Sequence, residues 1–313
     1  MTAKLNSPRS HIGDLLTAGI APLVWGSTYL VTTEFLPPGR PFLAATVRAL
    51  PAGLLLVAGT RQFPRGVWLL RALVLGTLNI GAFFTLLFVA AYRLPGGLAA
   101  IIGSVQPVIV ILLAMALLRQ RARLNEIAAC VLGTAGVSLL VLTANARLDT
   151  IGVIAELCAT ACMAGGIVLG KLWGRPEGVG LLAFTGWQLT AGGILLLPLT
   201  FVVEGMPAEL SSRNLLGFGY LMVVGSMISY FLWFRGIERL PAVLASMLGF
   251  VSPLVATILG FLVLGQGFTL TQGVGAVAVF AALHLAQRTP AKNAEIPSAV
   301  GVPLAEAVAK TDR

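Results

Sequence analysis

Apolar residues run along the chain in stretches of about twenty, separated by short polar breaks that hold most of the Lys and Arg. A helix rises ~1.5 Å per residue, so a run of ~17 or more apolar residues can cross ~30 Å of hydrocarbon. Ten segments meet that criterion: 13–33, 41–60, 68–92, 95–118, 125–143, 150–171, 178–202, 214–235, 241–264 and 269–287. They predict an all-α integral membrane protein of ten transmembrane helices. The first run follows Lys4 and Arg9, as a secretory leader would, but it carries Pro22 and Trp25, continues to Thr33 and lacks a small-residue cleavage site, so it is expected to be a spanning helix. Residues 288–313 are polar, contain proline and have no sustained apolar period, and are expected to form a mobile cytoplasmic tail after a short cytoplasmic N-terminus, 1–12.

Composition agrees with the pattern: of 313 residues 57% are hydrophobic and only 11% charged, well under the ~25% of soluble chains. The formal charge of +9 raises nucleic acid as a partner. Nucleic-acid surfaces, however, need basic residues clustered with aromatics, and here they sit in the breaks between apolar runs, so the expected surroundings are a lipid bilayer and no nucleic acid. With the N-terminus inside, sixteen Lys and Arg fall on the cytoplasmic side and four (Arg40, Arg93, Arg147, Arg213) outside, which orients both termini to the cytoplasm. Cys130, Cys158 and Cys162 all lie within apolar runs without His or carboxylate at ligand spacing, so they are expected to pack, and no metal, disulfide or other cofactor is implied.

The segment RLPGGLAAIIGSVQP at 93–107 returns as RLPAVLASMLGFVSP at 239–253, with eight of fifteen positions identical and a separation of 146 residues. The first copy opens the fourth helix and the second the ninth, so the repeat unit is five helices. Because five is odd, 13–143 and 150–287 are expected to be inverted relative to each other about a pseudo-twofold axis in the membrane plane. Each copy carries a proline about twelve residues into its helix, Pro107 and Pro253, which removes one backbone donor and crowds the carbonyl four residues earlier. That residue is glycine in both, Gly103 and Gly249. Paired interruptions at corresponding points of inverted halves mark a site near the midplane, and these four residues are expected to act as hinges. Kinks that only fit helices to their neighbours are the other reading.

WGSTY at 25–29, Arg48 in the second helix, Pro107 in the fourth and Pro253 in the ninth, within ten helices arranged as two inverted fives, resemble the EamA-type branch of the drug/metabolite transporter superfamily. The likeness spans about 12–287. It implies a multi-pass carrier of the bacterial inner membrane, not an enzyme, that moves a small-molecule substrate by alternating access around a central cavity. Members similar in layout export aromatic and other neutral amino acids, which makes that class the first expectation. Sugar-phosphate or nucleotide-sugar carriers share the fold and are the alternative within it. A non-transporting scaffold and an intramembrane enzyme are alternatives of another class, though no paired carboxylates or nucleophile–base constellation supports an enzyme.

Polar and aromatic residues at mid-depth are the candidate substrate contacts: Trp25, Ser27 and Tyr29 in the first helix, Asn79 and Phe83 in the third, Gln106 before Pro107, Met163 in the sixth, Ser229 and Tyr230 in the eighth, and Ser252 before Pro253. Such groups either bond across helices or line a wet cavity. Arg48 and Glu156 are the ionisable residues deepest in the spans; they lie at similar depth and are expected to form an ion pair, unless Arg48 meets a substrate carboxylate. His11 and His284 stand near the cytoplasmic side, leaving no chain of titratable groups, which points to facilitated diffusion rather than proton antiport. Gly133, Gly136, Gly273 and Gly275 permit close helix contact, either within the bundle or at a dimer face, so monomer and homodimer stay open.

Overall fold

The computed structural model describes residues 8–91, 93–94, 96–141, 149–265, 267 and 269–287. The tail expected at 288–313 lies outside the described residues. We number the helices α1 (Pro8–Gly26, resuming as Thr28–Phe35), α2 (Pro41–Thr60), α3 (Val67–Ala90), α4 (Leu98–Leu117), α5 (Leu124–Val141), α6 (Thr150–Trp173), α7 (Leu181–Glu204), α8 (Ser212–Arg239), α9 (Ala242–Val263) and α10 (Leu270–Gln287). Every regular element among the described residues is helical, and none of these residues is in a strand. Nine of these helices are long and apolar enough to cross a membrane, and Ile12–Gly26 is a shorter apolar stretch. Their outward faces carry large exposed apolar side chains, among them Leu55, Leu69, Val131, Ile194 and Phe280, as a surface solvated by acyl chains requires.

Helix pairing follows a rule. α2 lies along α7 and α5 along α10, each helix meeting the one five further on. α1 packs against α8 and α9, while α6 packs against α3 and α4. Small residues set the spacing of the first two pairs: a Cβ at Gly136 would fall 2.9 Å from the Gly275 carbonyl oxygen, and one at Gly275 would fall 2.7 Å from that of Gly136. Gly136 and Gly275 therefore serve packing inside the bundle. A Cβ at Gly133 would overlap the Phe250 ring of α9. Among the cysteines Cys130 is buried, whereas Cys158 is exposed on the outer face of α6, so the packing expected of it is not found.

Polar groups at the α2–α7 seam are satisfied across it. The Phe42 and Leu43 amides, which the first turn of α2 cannot bond, donate to the Glu204 carboxylate at 2.6 and 2.8 Å, and a hydroxyl pair joins Thr46 to Thr200 at 2.7 Å.

Both prolines stand at breaks. In α4 the helix ends at Gly103 and restarts at Gln106. The Val108 amide turns to the Val105 carbonyl at 2.9 Å instead of Ser104, whose carbonyl accepts the Thr134 hydroxyl of α5 at 3.2 Å. In α9 the corresponding stretch, Leu248–Phe250, narrows to a 3₁₀ turn. Three further irregularities have no counterpart in the sequence reading: α7 ends in a π-turn at Thr200–Glu204, and α3 widens to a π-turn at Thr77–Gly81 and α8 at Val223–Ile228, the last two starting 146 residues apart like the repeated segments. α1 is interrupted at Ser27.

Candidate functional site

A cavity of about 1150 Å³ lies between the broken helices α1, α4 and α9 and the walls formed by α2, α3, α6 and α8. It extends to the end of the bundle where α5 and α9 finish and α10 begins, past Leu140, Gly260 and Gln272. All four hinge candidates, Gly103, Pro107, Gly249 and Pro253, line it, as do Trp25, Phe83, Gln106, Met163, Tyr230 and Ser252.

One wall is aromatic. The Trp25 ring contacts Tyr230 (centroids 5.1 Å apart) and Trp233 (5.2 Å), and Phe83 contacts Phe84 at 5.5 Å. Such tilted and edge-on pairs each contribute about 0.5–1.5 kcal/mol beyond area burial. Trp233 and Phe84 were not among the sequence candidates, yet Trp233 stands one turn after Ser229 and Phe84 directly after Phe83, on the same helices.

The anchor of this wall is the π-turn of α8. Widening a helical turn changes the backbone bonding and exposes a carbonyl, and here two side chains use the same oxygen: Trp25 Nε1 and Arg48 Nη2 each donate to the Gly225 carbonyl at 3.0 Å. Arg48 Nε donates to Ser226 Oγ at 3.1 Å, and the guanidinium sits 4.8 Å from the Phe84 ring centroid.

The ion pair expected between Arg48 and Glu156 is not formed. Both residues line the cavity and are buried, but Arg48 is claimed by α8 and no salt bridge joins them. Three more candidates lie outside the cavity lining. Ser27 donates to the Val24 carbonyl at 2.7 Å and meets the Tyr220 hydroxyl at 2.7 Å, tying the α1 break to α8. Asn79 Nδ2 donates to Gln188 Oε1 of α7 at 2.8 Å, with its side chain filling the space above Gly166 of α6. Ser229 donates to the Val224 carbonyl at 2.6 Å, within its own π-turn. The Tyr29 side chain lies outside the described residues.

Glu156 is 5% exposed and its Oε2 has no hydrogen-bond partner; Trp233 Nε1 and Thr28 Oγ1 are likewise buried and unpartnered, and all three residues line the cavity. Unsatisfied donors and acceptors at a buried wall are costly unless a solute or water completes them.

At the opposite end from the opening, the bundle is clamped by charge. Asp14 Oδ1 of α1 meets Arg235 Nη2 at 3.2 Å and Arg239 Nη1 at 3.0 Å, both from α8. Nearby, Arg175 pairs with Glu238 at 2.8 Å, and Lys171 donates to the Glu238 carbonyl at 3.1 Å. At the open end Arg93 and Asp149 stand 3.7 Å apart with both side chains about 40% exposed. Arg93 and Arg239 are the first residues of the two repeated segments.

Helices that must be solvated by lipid, broken in the middle around one polar and aromatic chamber, define a multi-pass membrane transporter. The family model for the EamA-like transporter family matches residues 12–142 and 150–287, and the chain belongs to that family. Among its relatives are Protein PecM of Dickeya dadantii, 51% identical over 85% of this chain and 90% of that protein. The uncharacterized inner membrane transporter YedA of Escherichia coli K12 is 29% identical over 76% of this chain and 78% of its own length. A solved crystal structure with 18% identity superposes with a TM-score of 0.73, covering 88% of this chain and 97% of that chain, and supports the fold.

Proposed function

We propose that the protein is a secondary carrier of the bacterial inner membrane that exports aromatic or other neutral amino acids by alternating access, with ten spanning helices in two inverted halves and both termini in the cytoplasm. The observation that carries this reading is the chamber itself: aromatic rings on one wall, one guanidinium and one carboxylate on separate helices, and paired helix breaks bordering it. An aromatic zwitterion matches such a lining, with its ring against Trp25 and Tyr230. A phosphate-bearing cargo calls for two or more cations, whereas Arg48 is the cation among the described lining residues. Purified protein in liposomes, preloaded with unlabelled amino acid, is expected to accumulate the labelled amino acid by counterflow without a proton gradient. Exchange of sugar phosphates but not amino acids would replace the substrate class, and absence of counterflow for every solute tested would end the carrier reading.

In this orientation the chamber opens to the outer face and the Asp14–Arg235–Arg239 cluster closes the inner one. The looser Arg93–Asp149 pair is its counterpart in the other half, poised to close when the inner cluster opens. Asp14→Asn is expected to raise, severalfold, the labelling of a cysteine introduced at Ser246 by an impermeant thiol reagent added from the cytoplasmic side. The background for this test lacks the native cysteines. Unchanged labelling would show that the cluster does not hold the inner side shut.

A further inference from the structure

Glu156 is the one carboxylate among the described lining residues of the chamber, and its surroundings do not account for it. It is 95% buried by its residual exposure of 5%, its Oε2 has no partner, and no Lys or Arg is paired with it. An isolated buried carboxylate costs several kcal/mol unless a cation or proton neutralises it. The architecture leaves room for the former. Gly103, at the α4 break, faces the carboxylate across the chamber edge: a Cβ added there would lie 3.1 Å from Oε1 and 4.0 Å from Thr160 Oγ1. Thr160 follows one turn along α6 and Met163 two turns, so carboxylate, hydroxyl and thioether line one side of the chamber. The aromatic wall supplies ring faces that favour a cation as well.

We propose that Glu156, with Thr160 beside it and the side-chain-free Gly103 next to its carboxylate, forms a subsite that receives a protonated amine of the carried solute. This deepens the carrier reading and rests on it for the word carried. The subsite accounts for the unpartnered oxygen and for Arg48 being held elsewhere: the ammonium, not the guanidinium, is the counter-ion of Glu156. It also makes a discrimination, because a solute with the same ring and no amine leaves the carboxylate buried and unpaired.

The test uses the full chain in detergent, with binding of 2-phenylethylamine and of 3-phenylpropionate followed by quenching of tryptophan fluorescence, alongside counterflow of phenylalanine in liposomes. Wild type is expected to bind the amine and to prefer it to the acid. Glu156→Gln is expected to bind the amine at least tenfold more weakly, a change of about 1.4 kcal/mol. Gly103→Ala retains every charge and is expected to weaken the amine in the same direction by placing a methyl against Oε1, so it decides the matter if the Gln variant is not recovered folded. Amine binding unchanged in both variants, or in Gly103→Ala when Glu156→Gln does not fold, overturns the subsite even if phenylalanine counterflow persists. Loss of proton-gradient-driven transport in Glu156→Gln with the amine preference intact also overturns it, since the carboxylate would then serve a proton. Glu156-dependent amine binding without phenylalanine counterflow upholds the subsite and counts against the amino acid assignment alone.

Discussion

A chain carrying alanine at both Pro107 and Pro253 is expected to reach the membrane in normal amount and to exchange substrate at no more than about a tenth of the wild-type rate, ~1.4 kcal/mol on the barrier. Each proline lacks the N–H that would close the ladder onto Gly103 or Gly249, and the chain answers with a break at Ser104–Val105 and a 3₁₀ turn at Leu248–Phe250. Alanine restores a donor and is about 3 kcal/mol more favourable within a helix, so both helices would straighten and stiffen at the breaks that border the chamber. Either single variant is expected to fall between wild type and the double. The Thr134 hydroxyl, which satisfies the Ser104 carbonyl at the α4 break, would lose its partner as the ladder reforms. Measurement of initial counterflow rates, normalised to protein in the vesicles, decides it. Wild-type rates in the double variant would mean that the prolines only shape the helices to their neighbours.

The second large effect is on folding. Gly193→Leu is expected to remove most of the monodisperse protein recovered in detergent and to lower thermal stability by about 3 kcal/mol, the upper part of the overpacking range. A Cβ at Gly193 would lie 2.6 Å from Leu50 Cβ, 2.7 Å from its Cα and 2.8 Å from its amide nitrogen, so the obstacle is the backbone of α2, which cannot turn aside as a side chain can. The α2–α7 seam also holds the Thr46–Thr200 pair and the Glu204 cap, both of which would be pulled apart as the helices separate. Gly19→Leu makes the same chemical change where no heavy atom lies within 4 Å, and is expected to leave stability close to wild type. Helix propensity favours leucine over glycine at both sites, so equal losses would place the cause in the added apolar side chain itself rather than in the seam.

The helices and the paired breaks were legible in the sequence because their signals are local: twenty apolar residues suffice for a span, and proline disrupts its own turn wherever it stands. Position along each helix was legible too, at ~1.5 Å per residue. Direction around the helix was not. In a soluble helix the polar face marks the outside, but lipid is as apolar as the protein interior, so Ser27, Asn79 and Ser229 could be placed at mid-depth without a sign of which way they pointed. They bond to neighbouring helices or to their own turn, while Phe84 and Trp233, beside candidates already named, line the chamber.

Arg48 failed differently. Its expected partner was a side chain of opposite charge, whereas its actual partner is mainly a backbone oxygen, and no residue type announces that a carbonyl will be exposed. The π-turn at Val223–Ile228 has a faint trace in the repeat, where Asn79 of the first copy aligns with Gly225 of the second. That alignment carried no bonding information until both turns could be seen to widen.

The exchange of helices between halves has a consequence for either half on its own. α1 finds its neighbours chiefly in α8 and α9, and α6 finds its own in α3 and α4. A chain made of the first five helices alone would therefore leave its opening helix without its main neighbours, complete only when a second such unit packed beside it. Carrying both units in one chain makes that meeting certain, and leaves each free to differ from the other.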